Sequence, residues 1–88
     1  MNSNGIKVRI FSLDRGLIEY ENIKIIRIIS KDYNLLVMQD YLPMLGEIEG
    51  SVDIKNEEFE VNYKNIKAFY MNSSNVFNLM IKEGNLNG

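Results

Sequence analysis

The chain has 88 residues, 45% of them hydrophobic, with 12 acidic and 10 basic side chains for a net charge of −2, and it contains neither cysteine nor histidine. That length builds one domain around one modest core. Without Cys there is no disulfide framework, thiolate nucleophile or Cys-based zinc site. Without His the usual general base and the commonest metal ligand are gone, so a Ser-His-Asp triad is excluded.

In chain order, Met1 to Gly5 is polar and uncharged, unlike the basic start of a signal peptide. Ile6-Lys7-Val8-Arg9-Ile10 alternates apolar and polar residues, the period of a strand. Leu13 to Gly16 reads as a turn, with Gly16 free to take positive φ, so Leu17 to Glu21 is expected to return as a hairpin. Ile23 to Ile29 is rich in β-branched residues, and its Ile pairs break strict alternation, which suggests a bulge or burial on both faces. Leu35 to Met38 is the longest aliphatic run, far short of the roughly 20 residues that a membrane helix needs. The only proline, Pro43, marks a loop or sheet edge, because Pro cannot donate to a ladder. Val52 to Ile54, Phe59 to Tyr63, Ile66 to Met71 and Val76 to Ile81 read as further strands, with turns at Lys55 to Glu57 and Asn72 to Asn75. The pattern predicts an all-β fold, a small antiparallel β-sandwich or flattened barrel of about eight to ten short strands. Residues 1–88 are expected to form one domain, frayed at 1–4 and 84–88.

Charge is uneven: residues 1–31 sum to +3, residues 32–62 to −7 and residues 63–88 to +2. The acidic middle disfavours phosphate-backbone binding, so no nucleic-acid partner is expected. Phe69 and Tyr70 are neighbours on one strand, so they point to opposite faces and one belongs to the core. Gly46 and Gly50 flank Glu47 and Glu49, the wrong company for a phosphate cradle. No pairing of acid, base and nucleophile stands out, and no enzyme activity, cofactor or metal is expected.

The stretch Asp32 to Leu45 resembles the signature loop of the ATP synthase epsilon subunit's N-terminal β domain. Asn34-Leu35-Leu36-Val37-Met38 stands where that family has a strand. Gln39-Asp40-Tyr41-Leu42-Pro43-Met44 stands where it has a Leu-Pro-Gly-His-x-Pro-Leu element, with Pro43 at its second proline. Gln39, Asp40 and Tyr41 replace its first proline, glycine and histidine. Val8 to Ser12 and Gly16 to Tyr20 resemble its opening hairpin, Glu49 to Ile54 a later Gly-containing strand, and Asn75 to Leu79 its final strand. The resemblance spans residues 6–83, and the length suits that domain without the family's C-terminal helical hairpin.

The resemblance implies a non-catalytic central-stalk subunit of a rotary F-type ATP synthase, coupling proton transport to ATP synthesis. Its implied partners are the gamma subunit, expected to cover an apolar patch on one sheet, and the c-ring, touched by a loop carrying Asn34, Asp40, Tyr41, Leu42 and Pro43. It further implies a cytoplasmic location, peripheral to the membrane through the complex and without direct insertion, and an isolated chain that is monomeric. The alternative is a free-standing β-sandwich adaptor that binds another protein, by strand addition at an open sheet edge.

Overall fold

In a computed structural model describing residues 5–85, buried and exposed side chains alternate along strand after strand and build one sheet. Its strands are β1 (Ile6–Ser12), β2 (Gly16–Ile23), β3 (Ile25–Ser30), β4 (Asn34–Val37), β5 (Met44–Lys55), β6 (Glu60–Ser73) and β7 (Val76–Asn85). The spatial order is β2-β1-β7-β6-β5-β3-β4. The all-β class is as the sequence indicates, but the strands are fewer and longer than expected, and the pairing is not wholly antiparallel. β1 and β7 run parallel, with Val8 opposite Phe77 and Ile10 opposite Leu79. β7 continues through Gly84 and Asn85, two residues expected to fray, while residues 1–4 and 86–88 lie outside the described residues.

Two features hid the long strands. In β6, Val61 and Tyr63 face inward, yet so do Ile66, Ala68, Tyr70 and Asn72. The phase shifts because Gly50 pairs with Ile66 and Val52 with Tyr63, so one residue of β5 faces two of β6, Lys64 and Asn65. Asn65 takes φ 57°, which makes this a β-bulge. In β5 the positions that would signal a strand hold glycine. A Cβ on Gly50 would lie 2.1 Å from the Ile29 carbonyl oxygen, so only glycine lets β3 lie this close. In β3 the register with β5 runs unbroken from Ile25 to Ser30. Ile26 and Ile28 are buried and Ile29 is exposed, so the paired isoleucines produce neither a bulge nor burial on both faces.

Turn chemistry follows the sequence. Ser74 and Asn75 both have positive φ, 52° and 63°, and join Ser73 to Val76 as a two-residue hairpin of the mirror-image type. Gly16, at φ 71°, closes the β1–β2 turn, where the Ser12 hydroxyl oxygen accepts the Arg15 N–H at 3.2 Å. Asn56 Oδ1 accepts the N–H groups of Glu58 and Phe59 at 2.8 and 3.1 Å and shapes the β5–β6 turn.

The sheet folds over on itself without closing, and β2 and β4 remain its edges. β2 lies at one end of the strand order and β3 near the other, yet only Lys24 separates them in the chain. The end of β2 therefore lies close to the start of β3. The Lys24 N–H prolongs the β3–β5 ladder by donating to the Lys55 carbonyl at 3.0 Å, and Asn56 Nδ2 donates to the Asn22 carbonyl at 3.3 Å across the crossing. The inward faces of all seven strands meet in one core, including Ile6, Ile10, Ile26, Ile54, Phe77 and Leu79. Each such side chain contributes about 1.5–3 kcal/mol by leaving water. The rings of Tyr70 and Phe77 stack at 5.6 Å inside it.

Gly50→Ala is expected to destabilise the fold by on the order of 2 kcal/mol, because backbone and not a mobile side chain has to move; a urea midpoint measures it. Burial, and then a hydrogen bond with Tyr20, keep the Tyr63 phenol neutral and push its pKa from 10.0 up to about 12. A raised folded pKa gives stability that is complete below the unfolded value and lost as pH climbs through the folded one. Unfolding free energy is therefore expected to fall between pH 10 and about 12, and less steeply in Tyr63→Phe.

Candidate docking surfaces

The loop from Met38 to Pro43 is braced rather than free. Asp40 takes φ 65°, a left-handed conformation. Its N–H donates to Asn75 Oδ1 at 2.6 Å, and Asn75 Nδ2 donates back to Asp40 Oδ1 at 3.0 Å. The Tyr41 N–H reaches the Met38 carbonyl at 3.2 Å, and Asn72 Nδ2 reaches the Leu42 carbonyl at 3.3 Å. Asn72 is 2% exposed, and its Oδ1 has no hydrogen-bond partner among the described residues. Two asparagines of the β6–β7 hairpin thus hold a loop thirty or more residues away in sequence. They were legible in the sequence only as turn formers, because nothing local shows what their amides grip.

The expected site residues separate into groups. The Asp40 carboxylate is engaged with Asn75, whereas Tyr41, Leu42 and Pro43 are exposed, with Met38 beside them. Asn34 begins β4, three residues before its end, and so stands roughly 10 Å along the strand from the loop. It lies beside Arg27, Ile29 and Leu36 in a separate shallow depression.

A second surface occupies the outward side of the sheet. Leu17 stands opposite Phe11, Phe11 opposite Met80, and Met80 opposite Phe69. On the next rung Met71 faces Leu45. These six side chains are between 40% and 77% exposed and rim a depression of about 550 Å³. Together they leave roughly 600 Å² of apolar side chain in water, at about 200 Å² for a fully exposed large residue. That is the top of the range for the largest patch on a monomer and near one partner's share of a standard interface. Charge frames the band: Arg9 and Glu19 form an ion pair at 2.9 Å, and Lys82 Nζ sits 4.4 Å from the Phe69 ring centroid. As expected for neighbours, Tyr70 is core and Phe69 faces out.

A third arrangement links the layers. The Tyr33 hydroxyl donates to the Glu47 carbonyl at 2.5 Å and lies 3.3 Å from the Tyr70 hydroxyl. Burial, then the Tyr70 hydrogen bond, raises the Tyr33 pKa well above its ordinary value. This tyrosine pair ties the approach to β4 to the β5–β6 ladder. Among the described residues no set of carboxylates is placed to hold a metal ion, and no helix is long and apolar enough to cross a membrane.

No protein-family model and no curated protein matches the chain. Among solved structures it is similar to a chain of the central stalk and c-ring of Tetrahymena thermophila mitochondrial ATP synthase, with a TM-score of 0.71 at 9% identity. The likeness covers 89% of this chain and 63% of the other, so this chain spans somewhat less than two thirds of that protein. The shared property is the fold.

Asn75→Gly retains the left-handed turn and removes the amide that grips Asp40. Amide exchange is expected to quicken in Met38 to Leu42 alone, with a stability loss of about 1 kcal/mol for the lost side-chain bonds.

Proposed function

We propose that the chain is a non-catalytic central-stalk subunit of a rotary F-type ATP synthase, seated on the gamma subunit and touching the c-ring, so that proton transport is coupled to ATP synthesis. The observation that carries this reading is the fold likeness to a chain of an ATP synthase central stalk and c-ring over 89% of the sequence. The apolar band supports it. A rotor component has to stay clamped while torque passes, and roughly 600 Å² of apolar side chain on a stiff sheet suits a permanent partner. Gamma is assigned to this band, with Phe11, Phe69 and Met80 at its centre.

The c-ring contact is assigned to the exposed tip, Tyr41, Leu42 and Pro43, with Asp40 setting the loop's shape through Asn75. Tyr41 suits a partly wet interface, burying its ring while its hydroxyl stays hydrogen-bonded. Asn34, at the far end of β4, is left outside that contact. In this reading the chain is held at the cytoplasmic face of the membrane by the complex and not by insertion. A second reading, a free-standing adaptor, draws support from the uncovered sheet edge at β2.

Co-expression with the gamma subunit of the same organism tests the proposal. The two are expected to co-purify, and Phe11→Glu or Met80→Glu to weaken the complex at least about tenfold while leaving the fold intact. Tyr41→Ala and Pro43→Ala are expected to stay folded and keep gamma but lose the c-ring. Failure of the unmodified chain to co-purify with gamma overturns the reading.

A further inference from the structure

The two edges of the sheet are not alike. β4 is four residues long, running only from Asn34 to Val37, with the Pro43 loop soon after, so it offers little to a foreign strand. β2 is eight residues long, pairs among the described residues only with β1, and contains neither proline nor lysine, two common guards of a natural edge. Its register with β1 is regular from Gly16 to Tyr20 before the irregularity that follows. Inside this edge Ile18 and Tyr20 are only half-buried, and outside it Leu17 is 49% exposed. The core and the outer apolar band are both left open along the same strand.

Charge gives the occupant its chemistry. Outward of β2 stand Glu19, already paired with Arg9, and the exposed Glu21. Past them the strand leads to a depression of about 450 Å³ whose lining holds Glu21, Glu57 and Glu58 against a single cation, Lys24. Phe59 forms its apolar wall, with its ring 5.7 Å from that of Tyr20.

We infer that β2 accepts an extended basic segment of a partner protein as an eighth strand. Its backbone pairs with Gly16 to Tyr20. Its inward residues are apolar and cover Ile18 and Tyr20. Its outward residues are apolar beside Leu17 and Lys or Arg beside Glu19 and Glu21, and its end enters the acidic depression. Backbone pairing supplies affinity, and the alternation with its charge supplies selectivity. The proposal shares only Leu17 with the outer band, and its failure is separable from that of the stalk assignment, since one is read in the β2 backbone amides and the other in co-purification with gamma.

The test uses the whole chain and three acetylated, amidated nine-residue peptides: one alternating valine with lysine, one alternating valine with glutamate, and the lysine peptide with every residue's amide N-methylated. The readout is backbone amide exchange by NMR. The lysine peptide is expected to slow exchange of the edge-facing amides among Gly16 to Tyr20 by at least about tenfold, and the other two to leave it unchanged. The double variant Glu21→Lys, Glu57→Lys is expected to stay folded, by its own amide spectrum, and to lose the protection. Protection by the N-methylated peptide, equal protection by the glutamate peptide, protection confined to β4, or no protection by the lysine peptide each overturns the inference.

Discussion

Everything else in this molecule depends on the single-residue crossing at Lys24. A sheet of seven strands can be open, but here its first edge strand hands the chain directly to a strand near the opposite edge. Ile23 and Ile25 are two Cα steps, no more than about 7 Å, apart, so the sheet is forced to curl until β2 approaches β3. Curling turns seven one-sided strands into a closed core, because every inward face then finds a partner face. The Lys64–Asn65 bulge adds twist in β6, and Gly50, beside that bulge in the ladder, lets β3 lie close against β5.

The fold class was legible because burial on one side only imposes a period of two, and that period survives in β1, the end of β6 and β7. What was not legible were the interruptions. Strand β5 carries Gly46 and Gly50 where inward side chains would have declared a strand, since Tyr70 and the β3 backbone already fill the space. Strand β6 changes phase at its bulge, so one strand reads as two. The parallel β1–β7 pair was beyond the sequence altogether, since alternation says which face is buried and nothing about which neighbour lies alongside.

The surfaces divide the same way. Pro43 and the aromatic beside it marked the loop, since proline excludes itself from a ladder wherever it stands. The asparagines that hold the loop were invisible in that role, because a side-chain amide looks the same in a turn whether it faces water or a distant peptide. The apolar band was hidden for a different reason. Phe11, Phe69 and Met71 lie next to true core residues in sequence, so each reads as part of a continuous apolar stretch until the pleat is known. Only the register sets Leu17, Phe11, Met80 and Phe69 in one row.

The parallel pairing of β1 with β7 constrains how the chain reaches this state. Val8 lies opposite Phe77, which follows it by 69 positions. On the ribosome, β1 and β2 emerge first and form their hairpin, but the seat beside β1 stays empty until nearly the whole described chain has been made. Closing so long a loop is slow relative to local hairpin formation. Through that interval Ile6, Val8 and Ile10 lack their final neighbour, so the nascent protein is a hairpin at one end and an unfinished sheet at the other. The core is complete only when the last strand sits between the first strand and the sixth.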